Sequence, residues 1–228
     1  MMYSEYPIAA ASTLMRRVFS WMTAGLVVTG AAAFAVNLVP TLQHAIAANS
    51  LVFILLLLAQ IGLVIYLSSW LRSMSAGTAV IAYLCYSLLT GVTFSVLFLM
   101  FTLPSLAVTF LVCASMFAAM AFYGYFTKSD LSGMGTYLLM GLVGLIVAGL
   151  INMFLHSSAM DFVVSIIGVI IFTLLTAYDV QMVKQMGMTM LGNNEEMTKV
   201  SIVCALKLYL DFVNLFLYLL RFFGQKKN

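Results

Sequence analysis

Charge is what this sequence has least of. Only 7% of its 228 residues are Asp, Glu, Lys or Arg, whereas 64% are hydrophobic. A soluble domain carries about 25% charged residues, so this chain cannot wet a surface and needs a bilayer as its solvent. Alternation is missing too. A transmembrane β-barrel would show roughly ten-residue stretches alternating apolar and polar, and the apolar runs here are continuous. The expected fold class is an all-α, polytopic membrane protein.

Other absences narrow the function. The net charge of +3 is small and scattered, and no basic run interleaves with aromatics, which excludes nucleic acid as a partner. The cysteines Cys85, Cys113 and Cys204 fall in three different apolar runs without CxxC or Cys/His spacing, so neither disulfides nor a zinc site is expected. There is no GxSxG, no HExxH and no phosphate-cradling glycine loop, and the two histidines, His44 and His156, lie between apolar runs. No enzyme and no obligatory cofactor are expected. The methionines read as lipid-facing and core filler.

What is present is a series of seven apolar segments, near 18–39, 50–71, 79–101, 105–126, 134–155, 161–183 and 200–223. Each has the roughly 20 residues that a 30 Å hydrocarbon layer requires. Turn chemistry marks the breaks: Pro40 and Asn49, Ser73 to Gly77, Pro104, Ser129 to Gly135, Ser157 and Ser158, and Gly192 to Glu196. No break is long enough to divide two domains, so residues 1–228 are expected to form one. Small residues in the first and fifth segments (Gly25, Gly30; Gly141, Gly144, Ala148) suit close helix packing.

Lys and Arg orient the spans. Arg16 and Arg17 precede the first; Arg72 opens the second break, Lys128 lies in the fourth, and Lys184 and Lys199 lie in the sixth. The first, third and fifth breaks hold no Lys or Arg. The N-terminus and the even breaks are expected in the cytoplasm. The run from Val18 to Val39 is too long for a signal-peptide core and reads as the first span, with a bacterial inner membrane as the address. Arg221, Lys226 and Lys227 then emerge on the outer side if the seventh segment spans, unless that segment re-enters and returns. A run without Pro or Gly makes a poor hairpin, so spanning is the expectation.

Against so apolar a background, charges inside spans stand out. A charged residue at a helix centre costs about +2.5 to +3.5 kcal/mol on insertion scales, so such residues face the bundle interior and mark function. Asp179 lies five residues before Lys184, roughly 7 Å inside the cytoplasmic edge by helical rise. Asp211 lies roughly 16 Å along the seventh segment, near mid-membrane. Two carboxylates in a low-dielectric site cannot both ionise cheaply, so a pair that meets shares a proton. Deprotonated, it offers hard oxygen ligands to Ca²⁺. A structural ion pair or a polar packing contact is the plainer alternative. Arg72 could pair with a carboxylate as a latch or anchor the membrane edge. Lys207 stands four residues before Asp211 and could pair with it or snorkel to the interface. Asn214, three residues beyond Asp211, could add an oxygen or serve as packing glue. An intramembrane aspartyl protease would need YD and GxGD signatures. Tyr178–Asp179 meets the first, but Leu208-Tyr209-Leu210 before Asp211 does not meet the second.

At these residues the sequence closely resembles the transmembrane Bax inhibitor motif family, bacterial branch. Thr176-Ala-Tyr-Asp-Val-Gln181 and Ala205-Leu-Lys-Leu-Tyr-Leu-Asp-Phe-Val-Asn-Leu-Phe-Leu-Tyr-Leu-Leu-Arg221 carry the likeness, with Trp70-Leu-Arg72 and Ser87-Leu-Leu-Thr-Gly-Val-Thr93. The resemblance implies seven helices with the seventh central and six wrapped around it. It also implies a pH-sensitive calcium-leak channel whose di-aspartyl sensor is Asp179 with Asp211 and whose latch is Arg72. Acidic residues that some relatives place in the second helix have no counterpart beyond Gln60. Two functions follow as expectations. The first is a Ca²⁺ leak gated by protonation of the aspartate pair, with lipid, Ca²⁺ and protons as partners. The second is a regulator that binds and restrains a membrane protease or other membrane machinery through the tail from Met1 to Arg17.

Overall fold

The computed structural model describes residues 5–71, 73–190 and 194–227, with side chains from residue 9 onward. Among the described residues the chain is helical, and its only β-pairing is an isolated bridge between Phe101 and Lys226. The helices are α1 (Glu5–Asn37), α2 (Pro40–Ala48), α3 (Ser50–Ser69), α4 (Ala76–Phe94), α5 (Leu97–Met100), α6 (Leu103–Phe126), α7 (Met134–Leu155), α8 (Ser158–Thr189) and α9 (Asn194–Phe223). Seven stretches are long and apolar enough to cross a bilayer: α1, α3, α4 with α5, α6, α7, α8 and α9. The all-α polytopic class expected from composition is the observed one.

The turn residues that marked breaks act as caps. The Asn49 side chain accepts from the Leu51 and Val52 N–H groups at the start of α3, and Ser75 accepts from Thr78 at the start of α4. Pro40 and Pro104 sit in the first turns of α2 and α6, where the missing N–H costs nothing.

Four boundaries differ from the sequence reading. Helix α1 begins at Glu5, not near residue 18, so the stretch from Glu5 to Arg17, expected as a tail, belongs to the first helix. The first break contains a two-turn helix, α2, where only a turn was expected. The third span breaks at Ser95, whose carbonyl accepts from the Gln43 side chain of α2 at 2.7 Å. The sixth break, expected over 184–199, is mostly helix, because α8 continues to Thr189 and α9 begins at Asn194. Gly187, inside that expected break, is a packing residue of α8. A Cβ there would lie 2.6 Å from the Ala11 Cα of α1, so glycine is what allows this close approach. Glu195 and Glu196 occupy the first turn of α9, where negative charge favours the helix dipole. The seventh segment is one unbroken helix of 30 residues, so the re-entrant alternative is excluded. It is also the most enclosed span, buried over 67% of its most apolar window, against 6% to 44% for the others.

The chain forms two compact units: residues 1–100 with 186–209 and 227, and residues 101–185 with 210–226 and 228. In the first unit α1 lies against α4. A close contact is at Gly91, where a Cβ would press on the Thr29 carbonyl and the Ala32 methyl. Gly25 likewise leaves room for the Tyr83 hydroxyl, whereas Gly30 faces open space. A buried polar seam runs through this unit. Thr29 Oγ1 lies 2.9 Å from the Gly25 and Ser87 carbonyls and 2.6 Å from the Tyr209 hydroxyl. Only one assignment serves all of them: Tyr209 donates to Thr29, whose single hydroxyl hydrogen is shared between the two carbonyls. Gln60 of α3 accepts from Thr90 at 3.2 Å, and its amide donates to the Leu56 carbonyl. Tyr209→Phe deletes one bond of this seam and leaves Thr29 its two carbonyls. The expected loss is therefore near the membrane-protein average of about 0.6 kcal/mol, read from unfolding in mixed detergent. A loss several times larger would mean that the hydroxyl does more than pack.

In the second unit the Cys113 thiol donates to the Phe212 carbonyl at 3.6 Å. Phe110 and Phe117 meet the Phe212 ring edge-to-face. At the end away from Lys128 and Lys184, Gln225 donates its N–H to Ser105 and accepts from the Thr102 N–H.

Candidate functional site

Asp179 belongs to α8 and Asp211 to α9, and both fall within the second unit. Their side chains are only 1% and 5% exposed. Carboxylates are almost never buried so completely unless they are paired, because removal from water penalises their charged form heavily.

The end of α8 that carries Asp179 is fastened on its opposite side. Gln181, 7% exposed, uses both ends of its amide on the loop between α6 and α7. Its Oε1 accepts the Leu131 N–H at 2.8 Å, and its Nε2 donates to the Ser129 carbonyl at 2.8 Å. One turn on, Lys184 donates to the Tyr125 carbonyl at 2.6 Å, with its ammonium 5.1 Å from the Tyr125 ring centre. That carbonyl lies in the last turn of α6, where no helical donor reaches it. One turn back, the Tyr178 ring lies where a Cβ on Gly135 would be. At the same level Gly124 of α6 faces the Ala177 backbone so closely that any Cβ would overlap the Ala177 carbonyl. In the exposed part of the loop, Asp130 accepts the Ser132 N–H at 2.9 Å. The Ser132 hydroxyl and N–H together hold that carboxyl below its ordinary range.

Around Asp211, α9 is apolar. Phe212, Val213 and Leu215 are all buried. Asn214 donates to the Leu210 carbonyl of its own helix at 2.8 Å, which makes at least one of its amide hydrogens helix glue. Lys207 is exposed between the buried Leu206 and Leu208 and lies in the first unit. Arg72 lies outside the described residues. Gln60 is buried and tied to hydroxyls of α4. Among the described residues there is no group of three or more His, Cys, Asp or Glu side chains able to hold a metal ion.

Sequence reasoning found the aspartates through their rarity and missed the Gln181 and Lys184 clasp. A signal was present, since Gln181 ends the motif that begins at Thr176. A glutamine in an apolar span has few neutral reasons to be there.

The chain has relatives among known proteins. Residues 11–228 match the family described as "Inhibitor of apoptosis-promoting Bax1". An uncharacterised protein of Borreliella burgdorferi is 45% identical over 97% of this chain and 95% of its own length. Inner membrane protein YbhL of Escherichia coli is 44% identical with the same coverage of both chains. An uncharacterised protein of Deinococcus radiodurans is 40% identical over 91% and 88%. The chain is therefore a member of the Bax inhibitor family and a multi-pass membrane protein of seven apolar spans.

Proposed function

We propose that this protein is a pH-sensitive Ca²⁺ leak pathway of a bacterial inner membrane, in which Asp179 and Asp211 act as one proton-sensing pair. The observation that carries the reading is the burial of two carboxylates, 1% and 5% exposed, on successive helices of one apolar unit. Protonated, the two groups are neutral and stable in that setting. Ionised, they repel each other and attract a divalent cation. Ca²⁺ takes six to eight oxygen ligands in a storage site, and two carboxylates supply too few to trap it. They suit an ion in transit. Arg72 would compete with the cation for the same oxygens, as an ion pair that opens on protonation. The even breaks, which hold Arg72, Lys128, Lys184 and Lys199, would face the cytoplasm together with the N-terminus. The inner-membrane address is supported by the name of the Escherichia coli relative.

The test is Ca²⁺ flux into dye-loaded proteoliposomes at a series of pH values. Asp179→Asn, Asp211→Asn and Arg72→Ala are each expected to change the flux or its pH response at least several-fold. Unchanged flux and unchanged pH response in all three would sink the reading.

A further inference from the structure

The loop between α6 and α7 is joined to α8 by more than packing, and the arrangement has a direction. Tyr178, Gln181 and Lys184 follow one another at three-residue spacing, so they form one strip along α8. All three meet the α6–α7 segment: Tyr178 at Gly135, Gln181 at Ser129 and Leu131, and Lys184 at Tyr125. Asp179 is two residues from Gln181, which puts it roughly 160° around the helix from that residue. Gln181 and Lys184, roughly 160° and 140° away, therefore lie nearly opposite the carboxylate, and Tyr178 lies to one side at roughly 100°. Whatever fixes the rotation of α8 at the strip fixes where Asp179 points.

We infer that Gln181 and Lys184 are positioning residues, which clasp the α6–α7 loop and thereby set the rotation of α8 that aims the Asp179 carboxylate. The inference rests on the function proposed above and adds a point of control to it: the loop on the Lys128 side becomes a handle on the sensor. The chemistry of the clasp supports such a role. Ser129 and Leu131 offer a carbonyl and an N–H that α6 and α7 do not use, and one amide side chain answers both at 2.8 Å. A glutamine has one acceptor and one donor group in a fixed fork, so it can satisfy this pair in only one orientation. Lys184 completes the clasp by capping α6. The charged groups that this unit carries near the clasp are Lys128 and Asp130 in the loop, Lys184 on α8, and, further along α9, Asp211.

Two readouts that do not depend on flux test the inference in detergent-purified protein. One is hydrogen exchange at the Leu131 amide, which reports whether the clasp is closed. The other is the infrared carboxyl band of Asp179, identified by its disappearance in Asp179→Asn. Gln181→Met keeps the side-chain length and removes both hydrogen bonds. It is expected to speed Leu131 exchange at least tenfold, to displace the Asp179 band and to change Ca²⁺ flux at least threefold. Gln181→Glu keeps an acceptor for Leu131 and is expected to restore part of each effect, and Lys184→Met is expected to show a smaller version of all three. A clasp that opens while the Asp179 band stays in place would overturn the inference, as would Leu131 exchange unchanged by Gln181→Met. Where Gln181→Met fails to fold, Gln181→Glu and Lys184→Met decide the matter on the same two readouts. Absence of Ca²⁺ flux in the unsubstituted protein would count against the leak function alone, since the band and the exchange rate still decide this inference.

Discussion

Gly124→Leu is expected to lower the thermal stability of the protein sharply and its folded yield with it. A Cβ at position 124 would overlap the Ala177 carbonyl oxygen and stand 2.9 Å from both the carbonyl carbon and the Cα of that residue. These are backbone atoms, and they cannot swing aside as a side-chain terminus can. Helices α6 and α8 would have to part, which would strain the Lys184 to Tyr125 bond and the Gln181 contacts at the same end. Overpacking a well-filled interior costs roughly 1–3 kcal/mol and occasionally more, and a clash with backbone belongs at the upper end of that range. Folded yield on size-exclusion chromatography and thermal unfolding in detergent provide the measurement. Gly144→Leu is the control: a Cβ at that position meets nothing within 4 Å, so its yield is expected to match that of the unsubstituted protein. Equal behaviour of the two variants would show that the α6–α8 approach is looser than described. Gly124→Ala, a smaller insult, is expected to fold in part and to disturb Asp179, which lies two residues beyond the displaced Ala177.

Much of this fold can be read from the order of residues alone. The seven spans are legible because burial in lipid demands an uninterrupted apolar run, and charge is scarce enough for each run to stand clear. Asn49, Ser75, Pro40 and Pro104 are legible because helix ends have fixed chemical needs that those residues meet. The extents of α8 and α9 are not legible. Beyond the apolar run, helix is decided by partners such as Ala11 against Gly187, and a glycine looks the same in sequence whether it ends a helix or lets two helices touch. Gly91 and Gly124 escape notice for the same reason, while Gly30 and Gly144, which fit a small-residue pattern, face open space. The candidate site divides in the same way. A buried aspartate announces itself by its cost. The partners of Gln181 are loop backbone groups some fifty positions away in the chain, and no spacing rule reaches them. The seam linking Thr29, Ser87 and Tyr209 is equally silent, because single hydroxyls blend into an apolar run.

Neutralising both aspartates is expected to do no more than neutralising one. If Asp179 and Asp211 share a proton and act as a unit, removing either carboxylate already destroys the shared state, and the second substitution finds nothing left to break. Each single variant is then expected to lose about tenfold or more of the change in Ca²⁺ flux between acid and neutral pH, and the double variant to lose about the same. Independent groups would instead multiply to about a hundredfold loss, since effects of sites that do not interact add in free energy. The gap between the two outcomes is a factor of ten, or about 1.4 kcal/mol of coupling, well inside the 0.5–3 kcal/mol range seen for residues that share a network. Asparagine is the substitution to use, because it keeps the volume and one carbonyl oxygen of the buried side chain and removes only the titrating group. An additive result would leave two separate buried acids, each tuned by its own surroundings, and would remove the pair from the mechanism while leaving the leak itself to be explained. A double variant that matches the singles would make the two carboxylates one sensor, built from a helix that is clasped on its far side by Gln181 and from the most enclosed helix of the protein.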